Sequence, residues 1–267
     1  MQKLPVDVAA RWESSLAHVN LRVKKTQFGF CIPNVKAAWI SKDPEKREPE
    51  IYDWIDSTMD SSSLFIDVGA NFGLYSIYAT LSVGANVVAF EPHYATYYIL
   101  HRNIILNKCG HKIFPYALAL SNSPSFAGNL KLADISAGKA LNALTQQNSK
   151  APYKASIDQE VIGFIQGRIY KSYDQPVLSS SLDYFFANNS SRYSLASYSS
   201  VALKVDVDGL DFLVLAGALN SFQYIHDIAV EYLPKDISTH NLIPKLLETQ
   251  GFKISKQTDN NLIFSRS

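Results

Sequence analysis

The chain is poor in cysteine and nearly without charge imbalance. Cys31 and Cys109 are the only two cysteines in 267 residues, too few and too far apart for a disulfide framework or a thiolate metal site. That scarcity points to a reducing setting, the cytoplasm being the simplest. Lys and Arg number 25 against 24 Asp and Glu, so no net field draws the chain to nucleic acid or to an anionic membrane, and nucleic-acid binding as the main role is disfavoured. Long apolar runs are missing too, and no stretch reaches the length of a membrane span. Residues 1–20 carry Asp7, Arg11, Glu13 and His18 and lack the continuous apolar core of a signal peptide or an anchor. The histidines at 18, 101, 111, 226 and 240 show no zinc-type spacing. Repeats are absent, and the serine-rich tract 190–200 reads as a loop. What remains is a length that suits one large α/β domain with a substantial core.

Within that chain, one stretch carries chemistry. An apolar run, Leu64 to Val68, ends at Asp67-Val68 and is followed by Gly69-Ala70-Asn71-Phe72-Gly73, a helix-compatible segment Leu74 to Leu81, and a second apolar run closing on Phe90-Glu91-Pro92. This is a β-α-β unit with a nucleotide-type cofactor expected at its strand ends. Gly69 and Gly73 permit a sharp strand-to-helix turn and close approach of a ligand to the backbone. Their Gly-x-x-x-Gly spacing lacks the G-x-G-x-x-G that seats a dinucleotide pyrophosphate. Asp67 would repel a pyrophosphate and suits a cationic amino or sulfonium group. Glu91, 24 residues beyond Asp67, is placed to accept hydrogen bonds from two ribose hydroxyls. S-adenosylmethionine meets these requirements better than any phosphate-bearing ligand. The alternatives are an NAD(P)-dependent oxidoreductase, for which Tyr153-Lys154 does not supply a Tyr-x-x-x-Lys spacing, and a non-catalytic binding protein that retains the fold.

Residues 1–49 read as an accessory segment: Trp12, Leu16 and Val19 suit a short amphipathic helix, and 42–49 a charged, proline-punctuated loop. The catalytic unit occupies 50–267. Ile51, Trp54 and Ile55 recur at helical spacing. Strand 64–68, helix 72–82, strand 86–91, helix 94–107 and strand 112–119 follow, and later strand 201–206, helix 210–219, strand 226–232 and helix 240–250. The alternation predicts an α/β fold, its sheet mostly parallel with helices on both faces. Phe126 to Ala133 reads as an added strand. Residues 136–175 read as a long irregular insertion, a substrate lid or wall, whose Tyr153, Phe164, Tyr170 and Tyr173 can stack on a sugar face or, by default, pack onto the core. Phe252–Lys256 and Leu262–Ser265 close the chain as an antiparallel hairpin.

Six segments in register, Phe65 to Gly73, Ala89 to Pro92, Asn103 to Asn107, Tyr116 to Ser121, Ser181 to Asp183 and Leu203 to Gly209, resemble the successive motifs of FkbM-type methyltransferases, over roughly residues 50–235. The resemblance implies a Rossmann-like class I fold and an S-adenosylmethionine-dependent O-methyltransferase acting on a hydroxyl of a glycan or glycosylated small molecule. It implies cofactor contacts from Asp67, Gly69, Ala70, Asn71, Gly73, Glu91, Pro92 and Asp206. Where the family has Lys-x-Asp-x-Glu-Gly, this chain has Lys204-Val-Asp206-Val-Asp208-Gly209, a carboxylate on a shorter arm.

A sugar hydroxyl is a weak nucleophile at neutral pH, so its proton must be helped off. Asp206 and Asp208 end a predicted strand, where open α/β sheets place their ligands, and strand period sets Lys204 on the same side. These three are the catalytic candidates, against the plainer reading that Asp206 caps the next helix. Asn71 reads equally as a helix cap or a ligand. His93 is placed to serve the acceptor or the adenine edge, but reads more readily as an exposed loop histidine. Glu231 is placed to share a divalent cation with Asp206, but single carboxylates on separate strands have no diagnostic spacing, and no metal is expected.

Overall fold

The computed structural model describes residues 17–132, 136–138, 143–146, 173–232 and 241–266. Trp12, Leu16, Tyr153, Phe164, Tyr170 and the side chain of Tyr173 lie outside what is described. Val19 belongs to a strand and not to a helix: β1 (His18–Val23) and β2 (Thr26–Cys31) form an antiparallel hairpin. Next come α1 (Val35–Ser41), a 3₁₀ turn Pro44–Lys46 and α2 (Pro49–Thr58). Asn34 starts α1 by accepting from the Ala37 N–H at 3.0 Å.

The β-α alternation then runs as its periodicity requires: β3 (Leu64–Val68), α3 (Leu74–Ser82), β4 (Asn86–Phe90), α4 (Tyr94–Leu106) and β5 (Ile113–Tyr116). After the second sheet come α5 (Leu182–Asn188), β10 (Val201–Val205), α6 (Asp211–Ala216), β11 (Asp227–Glu231), α7 (Ile243–Thr249), β12 (Lys253–Gln257) and β13 (Asn261–Ser265). The seven strands of the central sheet lie in the order β12-β13-β11-β10-β3-β4-β5. Strands β11, β10, β3, β4 and β5 run parallel, while β13 and β12 turn antiparallel at one edge. Adjacent β3 and β10 send their helices off in opposite directions along the sheet, which opens a crevice at their C-terminal ends.

Both faces of this sheet are covered, so its central strands are apolar throughout. Phe65 of β3 faces a cluster built from the β1-β2 hairpin, α2, α3 and α4, whereas Leu64, Ile66 and Val68 face one built from α5, α6 and α7. The N-terminal hairpin is thus packed into the core. The amides of α4 fasten it there: Cys31 N–H donates to Asn103 Oδ1 and Gly29 N–H to Asn107 Oδ1, both at 2.8 Å.

Two expectations change. The strand expected over 112–119 splits, because β5 is the sheet edge and carries Pro115, a residue tolerated at an edge. The chain leaves after Tyr116, and β6 (Ala119–Leu120) pairs with β9 (Tyr173–Ser180) instead. The region expected to be irregular contributes β8 (Ala143–Gln146) and the start of β9 (Tyr173–Ser180), both antiparallel to β7 (Ser125–Leu132). Together they make a second sheet ordered β6-β9-β7-β8. Among the described residues, no helix is long and apolar enough to cross a membrane.

Candidate active site

The turn from β3 into α3 is shaped by its neighbours. Gly69 has φ +79°, and a Cβ there would stand 1.9 Å from the Asp206 carbonyl oxygen. Its missing side chain therefore lets the β3 and β10 loops touch, with Asp206 N–H donating to Val68 O at 3.1 Å. Gly73 has φ +82° and faces the Leu100 side chain, which a Cβ would meet at 2.4 Å. Between them Asn71 takes a left-handed φ of +51°, which asparagine tolerates. It does not cap α3; Gly73 holds that position. The Asn71 N–H donates to Glu91 Oε2 at 3.0 Å, and Asn103 Nδ2 donates to Phe72 O at 2.9 Å. The Asn71 Oδ1 is buried with no hydrogen-bond partner among the described residues.

Glu91 is set with similar care. Its Oε1 accepts from the His93 N–H at 2.9 Å while Oε2 takes Asn71, so the carboxylate plane is fixed and each oxygen keeps a lone pair. Burial raises its pKa to about 7 against the pull of those two N–H donors. His93 is not the exposed histidine expected: it is buried, its Nδ1 lying 2.8 Å from Thr96 Oγ1, because the first turn of α4 folds over it.

Beyond β10 lies a cluster of carboxylates. Lys204 is buried and places its Nζ 2.8 Å from Asp206 Oδ2. Burial lowers the lysine pKa, but the charges of Asp206, Asp67 and Glu48 outweigh it and leave it raised. Asp67 accepts from Ser76 Oγ at 2.6 Å, and its other oxygen has no partner among the described residues. Its pKa is raised by burial in spite of Lys204 and Ser76. Asp206 does not cap α6, whose N-cap is Leu210; Asp211, the first residue of that helix, accepts instead from the Val207 and Gly209 N–H groups of the preceding turn at 3.1 and 3.2 Å. Burial and the Asp206 charge push Asp211 up to about 7. Burial with Asp206, Asp211 and Asp208 pushes Glu231 up to about 9, partly offset by Lys204.

These groups surround a cavity of about 540 Å³ at the C-terminal edge of the sheet, a size typical of ligand sites. Gly69, Asn71, Glu91, Pro92, Asp206 and Asp208 of the expected residues line it, as does Glu231. Ala70 and Lys204 line a smaller adjoining space of about 100 Å³. Asp67 and Gly73 line neither and sit behind the wall. Among the described residues no three potential ligands converge as a cation site requires. Part of the wall was not anticipated: Lys36, Trp39 and Arg47 come from α1 and the turn after it, and Leu118, Leu120, Leu130 and Leu144 from the chain around the second sheet. Nothing in local periodicity marks such residues, since long-range packing brings them to the site.

A fold with a switch-point cavity of this kind, an acid at the end of β4 and carboxylates after β10, is that of a class I methyltransferase. The chain matches the FkbM methyltransferase domain over residues 67–254 and belongs to that family; it is an S-adenosylmethionine-dependent methyltransferase. It is 27% identical over 239 residues to methyltransferase sdnD of Sordaria araneosa, covering 85% of this chain and 86% of that protein. Among solved structures it is similar to the magnesium protoporphyrin IX methyltransferase ChlM of Synechocystis PCC 6803 with bound SAM, at 13% identity, a TM-score of 0.41 and coverage of 88% and 86%. A putative RNA methyltransferase, PH1948 of Pyrococcus horikoshii, gives 12% identity, a TM-score of 0.43 and coverage of 100% and 98%. Such scores transfer no residue roles.

The residues present fit the cofactor. Glu91 offers two oriented acceptor oxygens for vicinal hydroxyls, Asn71 Oδ1 is a buried acceptor still to be met, and the carboxylate-rich wall balances a positive charge.

Proposed function

We propose that this methyltransferase acts on a hydroxyl of a glycan or glycosylated small molecule. The observation that carries the reading is convergence: Glu91 and the Gly69–Asn71 turn share one cavity with Asp206, Asp208 and Glu231 and with an apolar leucine wall. S-adenosylmethionine, when bound, supplies an electrophilic methyl on a sulfonium. Glu91 takes the ribose hydroxyls, and Gly69, Ala70, Asn71 and Pro92 line the path of the nucleoside. Lys204 holds Asp206 in place through its 2.8 Å ion pair, and Asp208, on the large cavity, receives the acceptor proton. The leucine wall of Leu118, Leu120 and Leu130 suits the apolar face of a sugar ring or aglycone.

A small acceptor is favoured over nucleic acid by the balance of 25 basic and 24 acidic residues and by the acidic character of the cavity. A cytoplasmic setting is supported by two cysteines kept as buried thiols. The test is transfer of labelled methyl from S-adenosylmethionine to a panel of glycosides, amines and RNA. Label on a glycoside oxygen is expected; label confined to nitrogen or to RNA would overturn the acceptor assignment.

A further inference from the structure

The smaller space beside the main cavity has an unmet chemical demand. Arg47 lines both, together with Gly69, Asn71 and Asp206. It lies toward β10, whereas Glu91 ends β4 on the other side of β3. The Arg47 guanidinium stacks 3.8 Å from the centroid of the Trp39 ring, which fixes its plane. Its Nη1 is buried with no hydrogen-bond partner among the described residues, a state that folded proteins seldom leave unanswered.

The nearby carboxylates do not answer it. Asp206 Oδ2 is held by Lys204 at 2.8 Å. Glu48 accepts from the Tyr75 hydroxyl through one oxygen and from Asn261 Nδ2 at 2.9 Å through the other. The space therefore offers a pre-oriented cationic fork with a vacant donor, in a wall that also carries Glu48 and the Lys204–Asp206 ion pair. A simple anion would meet Asp206 unfavourably and a simple cation would meet Arg47 unfavourably. A zwitterion carrying a carboxylate and an ammonium on one carbon satisfies both.

We propose that this space seats the α-amino-acid head group of the cofactor, with Arg47 clamping its carboxylate and Asp206 facing its ammonium. The inference rests on the cofactor site described above. It assigns a binding role to a residue outside the 67–254 span that the family domain covers, so the segment before that domain is a working part of the site.

Calorimetry with two ligands tests it: S-adenosylhomocysteine, which has the amino-acid end, and 5′-methylthioadenosine, which lacks it. In Arg47→Ala, affinity for S-adenosylhomocysteine should fall by about tenfold or more, the loss of a charge-assisted clamp. Affinity for 5′-methylthioadenosine should stay within about twofold of wild type, which also reports an intact fold. Arg47→Gln, of similar length but neutral, should repeat the pattern if the alanine variant folds poorly. Unchanged binding of both ligands, or an equal loss of both, would overturn the assignment. Glu91→Ala separates the two layers of the argument, since it should weaken both ligands alike. If the wild-type chain binds neither ligand, the cofactor site itself fails and the inference falls with it.

Discussion

Asp206 and Asp208 are two residues apart and differ in what holds them. Asp206 is paired with a buried lysine and lines both spaces, while Asp208 sits at a left-handed φ of +53° and lines the larger one. Their asparagine variants should therefore separate. Asp208→Asn is expected to lose about 10²-fold or more in turnover with little change in S-adenosylhomocysteine affinity, as for a proton acceptor. Asp206→Asn, which removes the ion-pair partner of buried Lys204, should lose both affinity and turnover. Single-turnover rates and calorimetry on each variant check this, and near wild-type turnover in Asp208→Asn would rule out Asp208 as the proton acceptor.

The carboxylates also predict a pH dependence of stability. Glu91 and Asp211 have pKa values near 7 in the fold and Glu231 near 9, against 4.5, 3.8 and 4.5 for the unburied groups. Between those limits the native chain binds more protons than the unfolded one, so stability falls as pH rises through 7 and then 9. The thermal midpoint of ligand-free protein should decline from about pH 6 to pH 9. Glu231→Gln should flatten the upper part of that decline, and a midpoint that rises with pH would contradict the burial of these groups.

At the scale of elements, α4 does more than cover the sheet. Asn103 is fully buried; its Oδ1 accepts from Cys31 N–H of β2 and its Nδ2 donates to Phe72 O in the glycine turn. One amide thus ties the N-terminal hairpin to the cofactor loop. Asn103→Ala strands both backbone groups and should cost about 2 kcal/mol or more in chemical denaturation, with weaker S-adenosylhomocysteine binding as a second readout. The β-α elements around this turn were legible because each strand is a continuous apolar run and each helix begins at a glycine turn or follows a strand-end acid. The Asp67 to Glu91 unit and the closing hairpin stand where their pattern placed them. Of the second sheet β7 alone was legible, as the added strand expected over 126–133; its pairing with β8 and β9 was not, since those partners lie across long chain separations. Likewise no local pattern marks Lys36, Trp39 and Arg47, which reach the site only through long-range packing.

For the molecule as a whole, the early and late parts of the chain meet at the site. Asn261 Nδ2 donates to Glu48 Oε1 and to Glu50 Oε1, at 2.9 and 2.8 Å, and Thr258 Oγ1 donates to the same Glu50 oxygen at 2.8 Å. Glu48 adjoins Arg47 and its own partner lies 213 residues downstream. The consequence belongs to biosynthesis: a ribosome that has released the glycine turn, Glu91 and both strand-end aspartates has still not made the piece that latches Glu48 and Glu50. A nascent chain stalled before Asn261 should therefore carry every expected cofactor residue without the latch on Glu48 and Glu50, and should hold S-adenosylhomocysteine more weakly than the full chain.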